Sequence, residues 1–150
     1  MRTLRRIVGW IIGIAAGAFL LAACGFIYMT SNVPTPAYTV VETAGEIELR
    51  DYPELIVAEI TTRGTRGEAV RAGFSPLAGY IFAKEREGEK IAMTAPVTQQ
   101  AGGGDAWTVQ FIMPEGYTLE NLPRPAGSTV RLDSEPPMRR AAIRFSGSWS

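Results

Sequence analysis

The chain contains no histidine, and that absence excludes more than any residue present. It removes the usual imidazole base and the commonest metal ligand together. Cysteine occurs once, at Cys24, so neither an intramolecular disulfide nor a Cys/His zinc cluster can form. Neither sign of charge is in excess, with 15 Lys+Arg against 15 Asp+Glu. Arg2, Arg5 and Arg6 are the only charges before Glu42, which leaves the remainder with twelve basic and fifteen acidic side chains. A mildly acidic domain has no electrostatic reason to bind nucleic acid, whose affinity rests on neutralised phosphates. At 150 residues there is room for one small domain.

What is present begins with a long apolar run. Ile7 to Met29 carries no charge and is rich in Ile, Leu, Ala, Gly and Phe. As a helix it would reach roughly 34 Å, at 1.5 Å per residue, enough for a hydrocarbon core of about 30 Å. The arginines before it predict an N-terminus on the cytoplasmic side of the membrane and an exported domain, periplasmic or extracellular. Leu21-Ala22-Ala23-Cys24 also resembles a bacterial lipobox, with a basic start and small residues before the cysteine. Cys24 is then either a lipidation site or a small apolar residue of an uncleaved anchor. Residues 1–29 are thus expected to be an anchor or signal, and 30–37, with Pro34 and Pro36, an extended linker.

From Tyr38 onward the pattern is that of one folded domain, 38–150. Thr39 to Thr43, Glu46 to Tyr52 and Leu55 to Thr62 read as strands, the second with clear period-2 alternation. Glu68 to Phe82 is the helical segment, with Ala69, Val70, Gly73, Phe74, Leu77 and Ile81 on one face. Pro76 is expected to kink this helix or to open a shorter one capped by Ser75. Lys84 to Lys90 reads as a solvated turn and Ile91 to Gln99 as a strand. Ala106 to Met113, Thr129 to Leu132 and Met138 to Phe145 are further strands. Several strands with one helix predict a mainly antiparallel α+β domain.

Two stretches are distinctive: Leu77-Ala78-Gly79-Tyr80-Ile81-Phe82 and Lys90-Ile91-Ala92-Met93-Thr94-Ala95-Pro96-Val97. With Glu46 to Tyr52 before them, and Phe111-Ile112-Met113-Pro114, Leu122-Pro123 and Arg144-Phe145-Ser146-Gly147 after them, the chain resembles the SOUL haem-binding family. The resemblance implies a distorted antiparallel β-barrel of two similar halves with a flanking helix, and binding of haem or another tetrapyrrole. The family's pattern continues into a second helix and closing strands. The second half is therefore expected to be C-terminally incomplete, with the chain a fragment of a longer one.

Without histidine, haem binding would need a substitute ligand or none. Met93, Met113 and Met138 offer thioethers and Tyr80 a phenolate, but each stands where core packing is the ordinary use. A ligand-free groove on the helix, with Phe74, Leu77 and Ile81 against the porphyrin and Lys84 or Arg71 on its propionates, is the site the resemblance implies. Ser75 and Thr94 have no histidine base, and Glu46 and Glu48 have no evident partner, so no enzyme is expected. The alternatives are a small-molecule effector-binding module for another apolar ligand, and an envelope interaction or structural protein.

Overall fold

The computed structural model describes residues 13, 17–25 and 33–144. The chain divides into two units, Met1–Val33 and Pro34–Ser150. In the first, residues 17–25 form helix α1, which carries the exposed, free Cys24. Most of the expected 7–29 span lies outside the described residues. Among the described residues, no helix is long and apolar enough to cross a membrane.

The second unit runs β1 (Thr39–Ala44), β2 (Ile47–Tyr52), β3 (Leu55–Arg63), α2 (Arg66–Ile81), β4 (Val97–Ala101), β5 (Ala106–Ile112), β6 (Arg131–Glu135) and β7 (Met138–Ile143). The strands form two antiparallel sheets, ordered β1-β2-β7 and β4-β5-β3-β6. One ribbon joins them. The pairing of β2 with β7 begins at Ile47↔Ile143, and the pairing of β3 with β6 ends at Glu59↔Arg131, in the same register throughout. Pro53 on one strand, and Pro136 and Pro137 on the other, interrupt this ribbon where it passes between sheets. A proline cannot donate to a ladder, so the break falls where the chain lacks the N–H groups to continue it.

The closed barrel implied by the resemblance is not found among the described residues. β1, β7, β4 and β6 each stand at a sheet edge, and closure requires every edge to be paired. The expected strand over Ile91 to Gln99 is also shorter than its composition suggests. It starts only at Val97, immediately after the cis Ala95-Pro96 bond.

Helix α2 begins earlier than the apolar pattern indicates. Thr65 is its N-cap, and Glu68 closes a capping box by accepting from the Thr65 N–H at 2.9 Å. Pro76 lies inside the helix and neither opens nor ends it. Beyond Ile81 the N–H of Ala83 bonds Tyr80 O and that of Lys84 bonds Gly79 O, with Ala83 in the left-handed region at φ 53°. These are the two bonds of a Schellman motif. The helix lies on β3 and β5, and its Leu77, Tyr80 and Ile81 form one core with Ala58, Ile60, Val109, Phe111 and Ile91. Contact is closest at Gly73, where a Cβ would stand 2.8 Å from Ile60 Cγ2 and 3.0 Å from Val109 Cγ2.

Candidate functional site

The structure divides the residues expected to form a tetrapyrrole groove. Leu77 and Ile81 are fully buried beneath α2 and pack on the sheet. Their apolar surface is already spent on the core. Phe74 is 39% exposed and meets Phe111 edge to face, with ring centroids 5.2 Å apart. Lys84 and Arg71 are both exposed. The helix face therefore supplies one accessible aromatic edge, not an apolar floor.

The proposed iron ligands are engaged elsewhere. Tyr80 is buried and donates its hydroxyl to Pro123 O at 2.8 Å, and burial raises its pKa above the ordinary phenol value. It is a neutral phenol at physiological pH. Met93 packs against the core, Met113 is buried, and the Met138 sulfur accepts from Arg140 Nε at 2.8 Å. Thr94 is buried, with its hydroxyl donated to Ile112 O. Among the described residues, no group of three or more Cys, Asp or Glu side chains is placed to hold a metal ion.

Tyr80 also lines an accessible cavity beside α2. The cavity has a volume of about 360 Å³, and Ser75, Pro76, Tyr80, Arg86, Pro125 and Val130 are among its walls. Arg86 is the residue that the sequence did not single out, since it stands in a stretch read as solvated turn. Its Nε donates to Tyr80 O at 2.8 Å, Nη1 to Glu87 O at 2.9 Å and Nη2 to Glu89 O at 2.9 Å. The guanidinium also lies 5.1 Å from the Tyr80 ring centroid. These neutral partners fix its position, and the exposed Glu85 stands beside it among the cavity's walls. Among the described residues no carboxylate forms an ion pair with it. No linear pattern signals such a clamp, because its acceptors are backbone carbonyls on both sides of a turn.

On the sheet face turned away from α2, Leu55, Val57 and Ile112 form a small buried apolar cluster, and beside it runs an internally matched polar network. Gln110 donates to Glu59 at 3.0 Å and to Glu135 at 3.0 Å, and accepts from Thr98 at 3.0 Å. Arg131 pairs with Glu59 and Arg140 with Glu135. With every partner supplied, this network is structural in character.

A family model described as "SOUL heme-binding protein" matches residues 33–150. The chain belongs to that family. No curated protein matches it.

Proposed function

From membership in the SOUL heme-binding family, we propose that this domain binds haem or another tetrapyrrole without a side-chain ligand to the iron, in the groove between α2 and the 125–130 loop. One observation carries the placement: the guanidinium of Arg86, fixed by three backbone carbonyls and without an ion-pair partner among the described residues, stands at that groove. A tetrapyrrole brings carboxylates attached to an apolar ring. Arg86 supplies the cation, and Pro76, Pro125 and Val130 the apolar contact. The groove's own donors do not suit axial ligation, since histidine is absent and its one phenol, Tyr80, is committed to Pro123 O. The volume lies near the lower end of the range for ligand pockets, about 300–1,000 Å³. Such a groove grips one edge of a macrocycle and leaves the rest open.

The reading is of a carrier or sensor without catalysis. It is held at a membrane by residues 7–29, with its N-terminus inside and the domain outside, and the uncharged run after Arg6 supports the tether. Cys24→Ala separates the two forms of tether: lipid labelling is lost in a lipoprotein, while attachment by an uncleaved span is unchanged.

Haemin titration of the full chain in detergent tests the binding reading. A saturable Soret shift at micromolar concentration or below is expected. Arg86→Gln should weaken it roughly tenfold or more, the worth of a hydrogen bond to a charged group at about 1.5–3 kcal/mol. Arg86→Lys, which keeps the charge but not the three-carbonyl clamp, should recover part of the affinity lost in Arg86→Gln. A non-saturating response equal to that of a control protein would end the proposal.

A further inference from the structure

A second cavity of the domain shares no lining residue with the Arg86 groove. Its walls come from residues 34–37, 53–56 and 113–117, together with Thr94, and its volume is about 400 Å³. Two backbone bonds hold these segments together. The Ala95 N–H donates to Pro34 O at 2.8 Å, and the Met113 N–H to Ile56 O at 2.8 Å. The stretches Met93 to Val97 and Phe111 to Pro114 therefore fix the walls of this cavity, so the shape is set before any ligand arrives.

Its chemistry is one-sided. Pro34, Pro53, Leu55 and Met113 are among the apolar lining residues, and Tyr117 adds an aromatic ring. The charged lining residues are Glu54 and Glu115, and no lysine or arginine lines the cavity. Glu54 accepts from Ser134 through one carboxylate oxygen, which leaves the other. Glu115 has no hydrogen-bond or ion-pair partner among the described residues. Two carboxylates and a π-face around an apolar space complement a positive charge on an apolar body. They oppose the carboxylates of a tetrapyrrole.

We propose that this cavity is a separate binding site for a small lipophilic cation, an amine or quaternary ammonium carried on an apolar group. The proposal does not rest on the tetrapyrrole reading, because the two cavities share no lining residue.

Calorimetric titration of the full chain with benzyltrimethylammonium, and in parallel with phenylacetate, tests it. Saturable binding of the cation and none of the anion are expected. Glu115→Gln removes an exposed carboxylate that holds nothing in place, so the variant should fold normally and bind the cation several-fold more weakly. Glu54→Gln with Glu115→Gln should weaken binding roughly tenfold, from two partly exposed ion pairs. The same double variant should bind haemin as the wild type does. No cation binding up to millimolar concentration, equal binding of cation and anion, or an unchanged affinity in the double variant would each overturn the proposal.

Discussion

Alanine at position 73 sets two opposing terms against each other, and the packing of α2 decides between them. Glycine inside a helix costs about 0.8–1.0 kcal/mol relative to alanine, so Gly73→Ala gains that much in propensity. The new Cβ, however, would stand 2.8 Å from Ile60 Cγ2 and 3.0 and 3.1 Å from Val109 Cγ2 and Cβ. Both neighbours are buried, β-branched and stiff at χ1, and they sit on the paired inner strands β3 and β5. They cannot turn away, so the helix must lift, at about 1–3 kcal/mol for overpacking. The net is a loss of about 1 kcal/mol, which in a domain of this size lowers Tm by roughly 4 °C. Gly79 is the internal comparison, because the same helix leaves nothing within 4 Å of a Cβ there. Thermal unfolding followed by circular dichroism should show Gly73→Ala below the wild type and Gly79→Ala at or above it. A Gly73→Ala variant as stable as the wild type would refute the close-packed placement of α2. A lifted helix also shifts Ser75, Pro76 and Tyr80, so Gly73→Ala should weaken haemin binding from a distance.

Four further outcomes follow from the ends and inner face of the same helix and from the β2·β7 ribbon. Thr65→Ala removes the N-cap and should cost about 1 kcal/mol in urea unfolding. Arg139 on Asp51, and the Thr65 hydroxyl and N–H on Glu68, hold these carboxyls below their ordinary pKa values. Their contribution is complete above the unfolded carboxylate value of about 4 and is lost as pH falls through the lower folded values. Tm measured down a pH series should therefore drop through that acid range, and less steeply in a variant combining Asp51→Asn with Thr65→Ala. Ala83→Gly relieves a left-handed alanine at the Schellman position and should stabilise by about 0.5–1 kcal/mol in the same unfolding assay. Tyr80→Phe should cost about 1 kcal/mol, by leaving the part-buried Pro123 carbonyl without its donor. It should leave the haemin Soret position unchanged, since the phenol is not a ligand.

The elements of the fold were legible where periodicity is local. β2 alternates, β3 opens on the apolar run Leu55 to Ala58, and Gly45 at φ 62° makes the β1–β2 turn that its sequence announces. The segment 91–96 was not legible, because Ile91 and Thr94 are buried as in a strand while the backbone instead makes long-range bonds to Ile81 and Pro34. Periodicity registers burial but not the partner that causes it. The site shows the same division. The apolar stripe of α2 is real, yet Leu77 and Ile81 spend it on the sheet. Arg86 acquires meaning only when the carbonyls of its own turn close around it, and the carboxylates of the second cavity only when segments far apart in the chain meet.

The absence of histidine gives the tetrapyrrole reading its sharpest consequence. A coordinate bond from a protein side chain would make affinity depend on the metal. Here no imidazole exists, Tyr80 is held as a neutral phenol, and the Met138 sulfur is occupied by Arg140. What remains to hold the ring is apolar contact and the Arg86 charge, and neither senses the iron. Iron-free protoporphyrin IX carries the same ring edge and the same carboxylates. It should therefore bind within about threefold of haemin, a difference under roughly 0.7 kcal/mol. Arg86→Gln should weaken both by the same factor. Fluorescence titration with protoporphyrin IX beside Soret titration with haemin makes the comparison. Haemin binding more than tenfold tighter than protoporphyrin IX would mean that a side chain does reach the iron, and the groove beside α2 would then be the wrong place for the ring.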